Sequence, residues 1–509
     1  MRVRLLAVLA FVLAACGGGG GGSDSPPPPP PAQASFTDSQ VYSSAPAASL
    51  SAPNEITAVT QHRLTMDGRA LDYTATAGHL TARDLGTGAA RASFFYVAYT
   101  LNAAAPATRP VTFFYNGGPG SATVWLHIGS FGPRRLATAV PATNQPTPFA
   151  MVDNTESLLD LTDLVFVDAV GSGYSQAVAP NANNAFWGVD DDATVFRDFV
   201  MTYVARNNRG ESPRFLYGES YGGPRTAVLA DLLEAAGSRL HGVVLQSPAM
   251  NYNSNCDIGS TPTIPCTGFI PSYGASGAWF NRSNPSPPAA QIDAFMGEAR
   301  SLALNRYEPA VRANLTNITQ PDAVLVNDLA SVTGLVETHW RSRLNIGPGY
   351  YRVNLIPGTL LGRYDTRITA PGGNADSDPS SNLIGSSFAT RLPEYLASLG
   401  YTNPSTYTLL SNAIQTWRWR HEGNAVPDTI PDLAAAIAQN PRLKVLAVNG
   451  YHDVATPFFT TEVDLARLGA NPNVTVRNYM GGHMTYLDDA SRVRMKADLA
   501  AWYRSALGN

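Results

Sequence analysis

Short apolar runs alternate with amphipathic helical patterns through most of this chain. The runs are followed by Gly, Asn or Asp turns and cover residues 111–115, 164–167, 215–217, 243–246, 445–448 and 474–479. Residues 224–236 are typical of the helices between them, because their aliphatic side chains fall on one helical face. Continuous apolar strands that alternate with helices indicate a parallel sheet covered on both faces. The pattern therefore predicts an α/β fold, with a mostly parallel central sheet flanked by helices.

Residues 255–430 break this rhythm. They are rich in Pro, Gly, Asn and Ser, with helical patterns near 289–304 and 322–343. We interpret them as an inserted cap between a first part of the core, residues 35–254, and a second part, residues 431–509. The aromatic residues of the cap are expected either to line a binding cleft or to pack in a core, and these are Trp279, Phe280, Tyr350, Tyr351, Trp417 and Trp419.

The beginning of the chain predicts export and a lipid anchor. Two arginines precede an apolar run, residues 5–15, that is too short to span a bilayer as a helix. The run ends in Leu-Ala-Ala-Cys, which resembles the lipobox of bacterial lipoproteins, so residues 1–16 are the expected signal peptide and Cys16 the lipidation site. A plain secretory signal is the alternative. Residues 17–34, rich in Gly and Pro, are expected to form a flexible tether.

Charge narrows the classes of partner. The 509 residues carry a net charge of -4, and only 15% of them are charged. Nucleic-acid binding, which needs a basic stripe, therefore has no support. Membrane contact is expected only through the lipid at Cys16, either on the outer membrane facing the periplasm or at the cell surface. No pattern indicates an oligomeric state.

Two cysteines remain beyond the signal, Cys256 and Cys266. An exported protein meets an oxidising compartment, so a disulfide closing this short loop is expected, with two free thiols as the alternative. No further ligand stands at a suitable spacing, so no metal site is predicted.

Ser220 is the candidate nucleophile. It lies in Gly-Glu-Ser-Tyr-Gly, which matches the nucleophile elbow G-x-S-x-G and stands between a predicted strand and a predicted helix, as the elbow requires. The alternative is an ordinary serine in a glycine-rich turn. A serine hydroxyl becomes a good nucleophile only when a histidine takes its proton and an acid orients that histidine.

His483 and Asp453 are the candidate base and acid. Among the histidines that follow Ser220, only His483 lies just past a strand, in a glycine turn, with an acid at an equivalent strand end upstream. That acid is Asp453. His452 is excluded because neighbouring side chains point apart and because it precedes the acid.

Residues 116–120, Asn-Gly-Gly-Pro-Gly, follow the first parallel strand. Acyl transfer needs hydrogen-bond donors aimed at the oxyanion that develops during the reaction. The backbone amides of Gly118 and of Tyr221, the residue after the serine, are the candidates. A tight structural turn is the alternative for the glycine loop.

Taken together, five segments resemble the serine carboxypeptidase family. They are NGGPGS at 116–121, FGP at 131–133, VFVDAVGSGYS at 165–175, GESYGG at 218–223 and GGHM at 481–484. The resemblance covers roughly residues 90–255 and 430–505. It implies an α/β-hydrolase fold, a triad of Ser220, Asp453 and His483, and an oxyanion hole formed by Gly118 and Tyr221.

The resemblance also implies how a substrate is recognised. The family removes one residue from the C-terminus of a peptide and binds its free carboxylate, and Asn116 and Glu219 match the residues for that role. Ser130 stands where the family carries a second glutamate. Without that partner Glu219 is expected to ionise at lower pH, and carboxylate binding to weaken or to use another donor such as His127 or Arg134.

The predicted function is that of a serine carboxypeptidase, which releases C-terminal amino acids from peptides through an acyl-enzyme on Ser220 and needs no cofactor. An esterase or acyltransferase using the same triad is the alternative, since a fold does not determine a substrate. A surface lipoprotein that binds without cleaving is a further hypothesis, against which the complete triad argues.

Overall fold

The structure is a computed structural model that describes residues 34–102, 105–257 and 263–508. Cys16, the expected signal peptide and the tether up to residue 33 lie outside these ranges. Within them, no helix combines the length and the apolar content needed to cross a bilayer.

The strands of the described residues lie in one large sheet and three small ones. In chain order they are β1 (Phe36–Thr37), β2 (Thr57–Met66), β3 (Arg69–Arg83), β4 (Ala90–Leu101), β5 (Val111–Tyr115), β6 (Arg134–Leu136), β7 (Met151–Asp153), β8 (Asp163–Val167), β9 (Gln176–Ala177), β10 (Arg214–Glu219), β11 (Gly242–Gln246), β12 (Thr359–Leu361), β13 (Thr369–Pro371), β14 (Tyr401–Thr402), β15 (Lys444–Gly450) and β16 (Val474–Tyr479).

The α-helices lie mostly between these strands. They are α1 (Val124–Gly129), α2 (Val189–Arg206), α3 (Gly222–Ala235), α4 (Ile270–Trp279), α5 (Ile292–Leu302), α6 (Glu308–Thr316), α7 (Ala323–Thr333), α8 (Glu337–Ser342), α9 (Pro348–Asn354), α10 (Pro379–Ser398), α11 (Ile430–Gln439), α12 (Phe458–Ala466) and α13 (Asp489–Leu507).

The large sheet has the strand order β16-β15-β11-β10-β5-β8-β4-β3-β2, with β9 beside β4. From β16 to β8 the neighbouring strands run parallel, and these are the strands predicted from apolar runs. Strands β4, β3 and β2 pair antiparallel at the other end. The prediction of a mostly parallel sheet is therefore confirmed, and the sheet also carries an antiparallel extension that was not predicted.

Strand β5 shows how helices cover both faces of the sheet. Phe113 and Tyr115 pack into one core with α2, α3 and α11, whereas Phe114 packs into another with α1, α10 and α13. Successive side chains of a strand point to opposite faces, so a strand buried on both faces is apolar throughout. This burial explains why the parallel strands were visible in the sequence.

Helices α4 to α10 fall within residues 255–430, and several of them share a separate core with residues that follow β15. The helical structure predicted near 322–343 is present and is divided into two helices, α7 and α8. Helix α7 ends at Gly334, which has φ +72°.

Cys256 and Cys266 form the expected disulfide, with their sulfur atoms 2.16 Å apart. The boundaries assigned to the cap stay a prediction.

A buried ion pair connects helices α2 and α3, and its arginine also contacts the glycine loop, residues 116–120. Arg225 Nε donates to Asp192 Oδ2 over 2.6 Å, and Arg225 Nη1 donates to the carbonyl of Asn116 over 2.6 Å. Asp192→Ala is expected to lower the free energy of unfolding by about 3–5 kcal/mol, because it leaves a buried guanidinium without its counter-charge. Urea unfolding measures this change.

Asp191→Ala is the matched control. The neighbouring Asp191 pairs with Arg418 at the surface, and such an exposed pair contributes about 1 kcal/mol or less. Equal losses in the two variants would contradict a structural role for the Arg225–Asp192 pair.

Candidate active site

Ser220 lies in the tight turn between β10 and α3. Its φ of +62° is in the left-handed region, which a serine adopts only at an energetic cost. The turn requires Gly218, because a Cβ there would lie 2.2 Å from the carbonyl oxygen of Gly222. The backbone N–H of Ser220 donates to Gln246 O of β11 over 2.9 Å. The chain thus makes the strained strand–turn–helix that an elbow requires.

His483 and Asp453 are hydrogen-bonded, with 2.8 Å between His483 Nδ1 and Asp453 Oδ2. Asp453 is completely buried. Its Oδ1 accepts the backbone N–H groups of Ala455, over 2.7 Å, and Thr456, over 3.1 Å. The hydroxyl oxygen of Thr456 lies 2.9 Å from Asp453 Oδ2 and 3.0 Å from His483 Nδ1. The carboxyl group is therefore fixed so that His483 donates from Nδ1 and keeps Nε2 free to accept a proton.

The backbone and ring of His483 are held by two further residues. Ser247 Oγ donates to the carbonyl of His483 over 2.8 Å, and the N–H of His483 donates to Tyr364 O over 2.6 Å. The ring of Tyr364 stacks on the imidazole at 4.7 Å. Burial lowers the pKa of His483, but the charge of Asp453 and its hydrogen bond outweigh burial and raise the pKa above its ordinary value.

His452 takes no part in this arrangement. Its Nδ1 lies 3.3 Å from Thr366 Oγ1, and its ring packs edge-on against Trp279 at 5.8 Å. Burial and the nearby Arg367 lower its pKa well below the ordinary value. The two adjacent side chains, His452 and Asp453, therefore contact different partners, as the sequence analysis expected.

Ser220 and His483 face a common cavity of about 390 Å³. Its polar lining includes Asn116, Gly118 and Glu219, so the cavity brings together most of the predicted site residues. Its apolar lining consists of Trp125, Ile384, Leu409, Leu410 and Met484, with Tyr364 beside His483. The cap aromatics considered in the sequence analysis do not line it. Trp417 and Trp419 pack on Tyr221 instead, and Tyr351 stacks on Tyr273.

The glycine loop touches the turn that carries Ser220. A Cβ on Gly117 would lie 2.4 Å from the backbone nitrogen of Tyr221, so nothing larger than glycine fits there. Gly118, with φ +101°, lines the cavity. Within the described residues, the N–H groups of Gly118 and Tyr221 have no protein acceptor. Both amides therefore remain candidates for an oxyanion hole beside Ser220.

Glu219 is buried, with 2% of its surface exposed. Asn116 Nδ2 donates to its Oε1 over 2.9 Å, and the Tyr486 hydroxyl donates to its Oε2 over 2.7 Å. The N–H of Leu126 donates to Asn116 Oδ1 over 3.0 Å, which fixes the orientation of that amide. Burial raises the pKa of Glu219 to about 7. The group is therefore a neutral carboxylic acid below that pH.

Neither suggested substitute for the missing second glutamate contacts Glu219. His127 Nε2 is hydrogen-bonded to Tyr99 over 2.6 Å, and Arg134 pairs with Asp153 at 3.2 Å. Ser130 Oγ donates to Leu126 O over 2.6 Å. The partner that the structure provides is Tyr486. Tyr486, Tyr364 and Thr456 were missed in the sequence analysis, although Thr456 stands only three residues after Asp453.

The pH dependence of the free energy of unfolding is expected to show at which pH Glu219 loses its proton. Its ordinary pKa is 4.5, and in the folded protein it is about 7. Between these values the unfolded chain releases this proton while the folded protein keeps it, so raising the pH favours unfolding. Over that window Glu219 is expected to remove about 3 kcal/mol from the free energy of unfolding. The Glu219→Gln variant lacks this contribution, which urea unfolding of both proteins from pH 4.5 to 7 measures. Equal pH dependence in the two proteins would contradict a raised pKa.

Comparisons with known proteins show which proteins this chain is similar to. Residues 67–259 match the family model described as serine carboxypeptidase. A search of curated proteins found no match. The fold is similar to that of Kex1, a prohormone-processing carboxypeptidase from Saccharomyces cerevisiae, at 16% identity and a TM-score of 0.52 over 85% of this chain and 92% of that one.

Proline iminopeptidase from Mycobacterium smegmatis was also found, at 14% identity and a TM-score of 0.31 over 88% of this chain and 98% of that one. The family match and the sheet architecture lead to one conclusion. Residues 67–259 are similar to the serine carboxypeptidase family, the chain has an α/β-hydrolase fold, and these findings support a hydrolase of the serine carboxypeptidase type.

Proposed function

We propose that the protein releases the C-terminal residue of peptides through an acyl-enzyme on Ser220. The observation that carries this proposal is the position of Glu219 and Asn116, which line the same cavity as Ser220 and His483. A neutral carboxyl group donates a hydrogen bond to a carboxylate, whereas an ionised one repels it. Glu219 and Asn116 therefore suit the free C-terminus of a peptide.

The reaction follows from the arrangement of the triad. Ser220 Oγ attacks the last peptide carbonyl, and His483 Nε2 accepts the hydroxyl proton. The N–H groups of Gly118 and Tyr221 stabilise the oxyanion, and His483 then protonates the departing amino group. Water, deprotonated by His483, hydrolyses the ester and regenerates the Ser220 hydroxyl. Throughout, Asp453 holds the imidazole tautomer and stabilises its protonated form.

The cavity walls favour apolar side chains next to the cleaved bond. No lysine, arginine or aspartate lines the cavity within the described residues. Burying one apolar side chain contributes about 1.5–3 kcal/mol, so peptides with Leu or Phe at this bond are expected to have a kcat/KM about 10–100-fold above those with Lys or Asp. Leu410→Glu is expected to narrow this preference, because Leu410 lines the cavity while 61% exposed. Product release from a set of blocked dipeptides measures it.

Ile318→Glu is the control for that variant. Ile318 is 91% exposed and does not line the cavity. The same change in preference in both variants would contradict the role given to the cavity wall.

The function is tested with an N-blocked Leu-Phe dipeptide and its C-terminal amide. Released phenylalanine or phenylalanine amide is measured with the wild type and with Ser220→Ala. The proposal expects rapid release from the free acid, much slower release from the amide and none by the variant. If the wild type leaves both substrates intact but hydrolyses an activated ester, the esterase or acyltransferase alternative replaces the carboxypeptidase.

We also propose that the protein is exported and held at the cell envelope by a lipid on Cys16. The support is the Leu-Ala-Ala-Cys sequence and the Gly- and Pro-rich segment that follows it. Labelling of bacterial cells with a radioactive fatty acid is expected to mark the wild type and not Cys16→Ser. Equal labelling of both proteins, or of neither, would overturn the proposal that Cys16 carries the lipid anchor.

A further inference from the structure

We propose that Tyr486 is a positioning residue, which holds Glu219 in the orientation that binds a substrate carboxylate. The inference rests on the proposed function, because it concerns how Glu219 is kept ready for the C-terminus. Tyr486 follows His483 by three residues, in the turn before α13. Its side chain is completely buried, and its hydroxyl group lies 2.7 Å from Glu219 Oε2.

The two oxygens of Glu219 have different fixed partners. Asn116 Nδ2 lies 2.9 Å from Oε1, and the Tyr486 hydroxyl group contacts Oε2. Two contacts on opposite oxygens fix the plane of the carboxyl group, which a single contact cannot do. Without Tyr486, the Oε2 side of the group would lose its only side-chain partner within the described residues.

Tyr486 differs in its charge from the second glutamate that the family carries where this chain has Ser130. Burial and the neighbouring Glu219 raise the pKa of Tyr486 well above its ordinary value, so its hydroxyl group stays protonated. It therefore never adds a second negative charge beside the substrate carboxylate. Its hydrogen bond favours the ionised form of Glu219 and lowers the pKa of Glu219 from the value that burial alone would set. Tyr486 thus influences the pH at which carboxylate binding is lost.

The other ionisable groups that act on Glu219 come from several elements. Protonated His483 lowers the pKa of Glu219, and Asp453 raises it. Tyr217 on β10 and Tyr364 in the cap interact with Glu219 as well, and burial raises the pKa of both hydroxyl groups, so they are neutral in the range considered. A change that removes only the Tyr486 hydroxyl group leaves all four in place.

Tyr486→Phe makes that change. For the blocked free-acid dipeptide, the pH at which kcat/KM falls on the alkaline side is expected to move up by about one pH unit, because a donor to the ionised form is lost. For an activated ester that has no carboxylate, the pH profile is expected to stay unchanged. Tyr503→Phe is the matched control, since it removes a buried hydroxyl group that bonds Thr112. An unmoved free-acid profile in Tyr486→Phe, or an equal shift in the control, would overturn the proposal.

A second measurement separates this inference from the proposed function. If the wild type fails to cleave free-acid peptides, the proposed function is wrong, but the coupling of Tyr486 to Glu219 is still measurable by urea unfolding from pH 4.5 to 8. The free energy of unfolding falls as the pH rises toward the pKa of folded Glu219. In Tyr486→Phe this fall is expected to continue to a pH about one unit higher than in the wild type. In a Glu219→Gln background the same change is expected to leave the pH dependence of the free energy of unfolding unaltered. No shift in the single variant, or a shift that persists in the double variant, would overturn the inference.

Discussion

Replacing Ser220 by alanine is expected to lower kcat for release of C-terminal amino acids by about 10⁶-fold, because no other group on the enzyme then forms the acyl intermediate. Ser220 lines the same cavity as Gly118 and His483, and its backbone N–H donates to Gln246 O of β11 over 2.9 Å. Alanine keeps the backbone and removes only the hydroxyl group. Steady-state release of phenylalanine from the blocked dipeptide measures the loss.

Ser301→Ala is the control for this change. Ser301 is an exposed residue of α5, and its substitution is expected to leave kcat unaltered. Melting temperatures of both variants check that the fold is kept. A Ser220→Ala enzyme that retains more than a small fraction of wild-type turnover, beyond contaminating peptidase, would contradict nucleophilic catalysis by Ser220.

Asp453→Asn is expected to lower kcat by about 10⁴-fold while the fold is kept. Asp453 Oδ1 accepts two backbone N–H groups, from Ala455 and Thr456, so the new amide group turns its oxygen to that side. Its NH₂ group then faces His483 Nδ1, which has to accept rather than donate. The imidazole proton moves to Nε2, and the ring cannot take the proton of Ser220.

His452→Gln is the matched control, because His452 neighbours Asp453 in the chain but contacts Thr366 and Trp279 instead. It is expected to change kcat by only a few-fold. Measured kcat values for the two variants decide whether Asp453 is the acid and whether His452 takes no part in catalysis. A larger loss in His452→Gln than in Asp453→Asn would mean that the acid and the base have been assigned wrongly.

The parallel strands were predictable because burial on both faces makes each of them a continuous apolar run. Strand β5, for example, is buried at all five positions. Strands β2 to β4 were not predicted, although they contain many residues of the antiparallel part of the sheet. Strand β2 is mostly half-buried and mixes polar with apolar residues, so no clear apolar run marks it. Its conformation depends on pairing with β3, which a local pattern does not show.

The site residues were predictable where they stand in short motifs at strand ends. The contacts that orient them were not, because they join distant parts of the chain. Tyr364 lies in the cap and stacks on His483. Tyr486 and Glu219 are separated by 267 positions in sequence. Such contacts depend on how residues far apart in the sequence pack together in the folded chain. The six aromatic residues named for the cap in the sequence analysis do not line the cavity, whose wall includes Trp125, Tyr364 and aliphatic residues.

The central claim is that Ser220 forms an acyl-enzyme during release of a C-terminal residue. The most direct measurement is mass spectrometry of enzyme that is acid-quenched within the first turnovers of a blocked dipeptide and then digested. An adduct with the mass of the N-terminal acyl part is expected on the peptide that contains Ser220. It is expected to be absent from Ser220→Ala and more abundant in enzyme given an ester of the same acyl group. Release of the amino acid without an adduct on Ser220, or with the adduct on another residue, would contradict it.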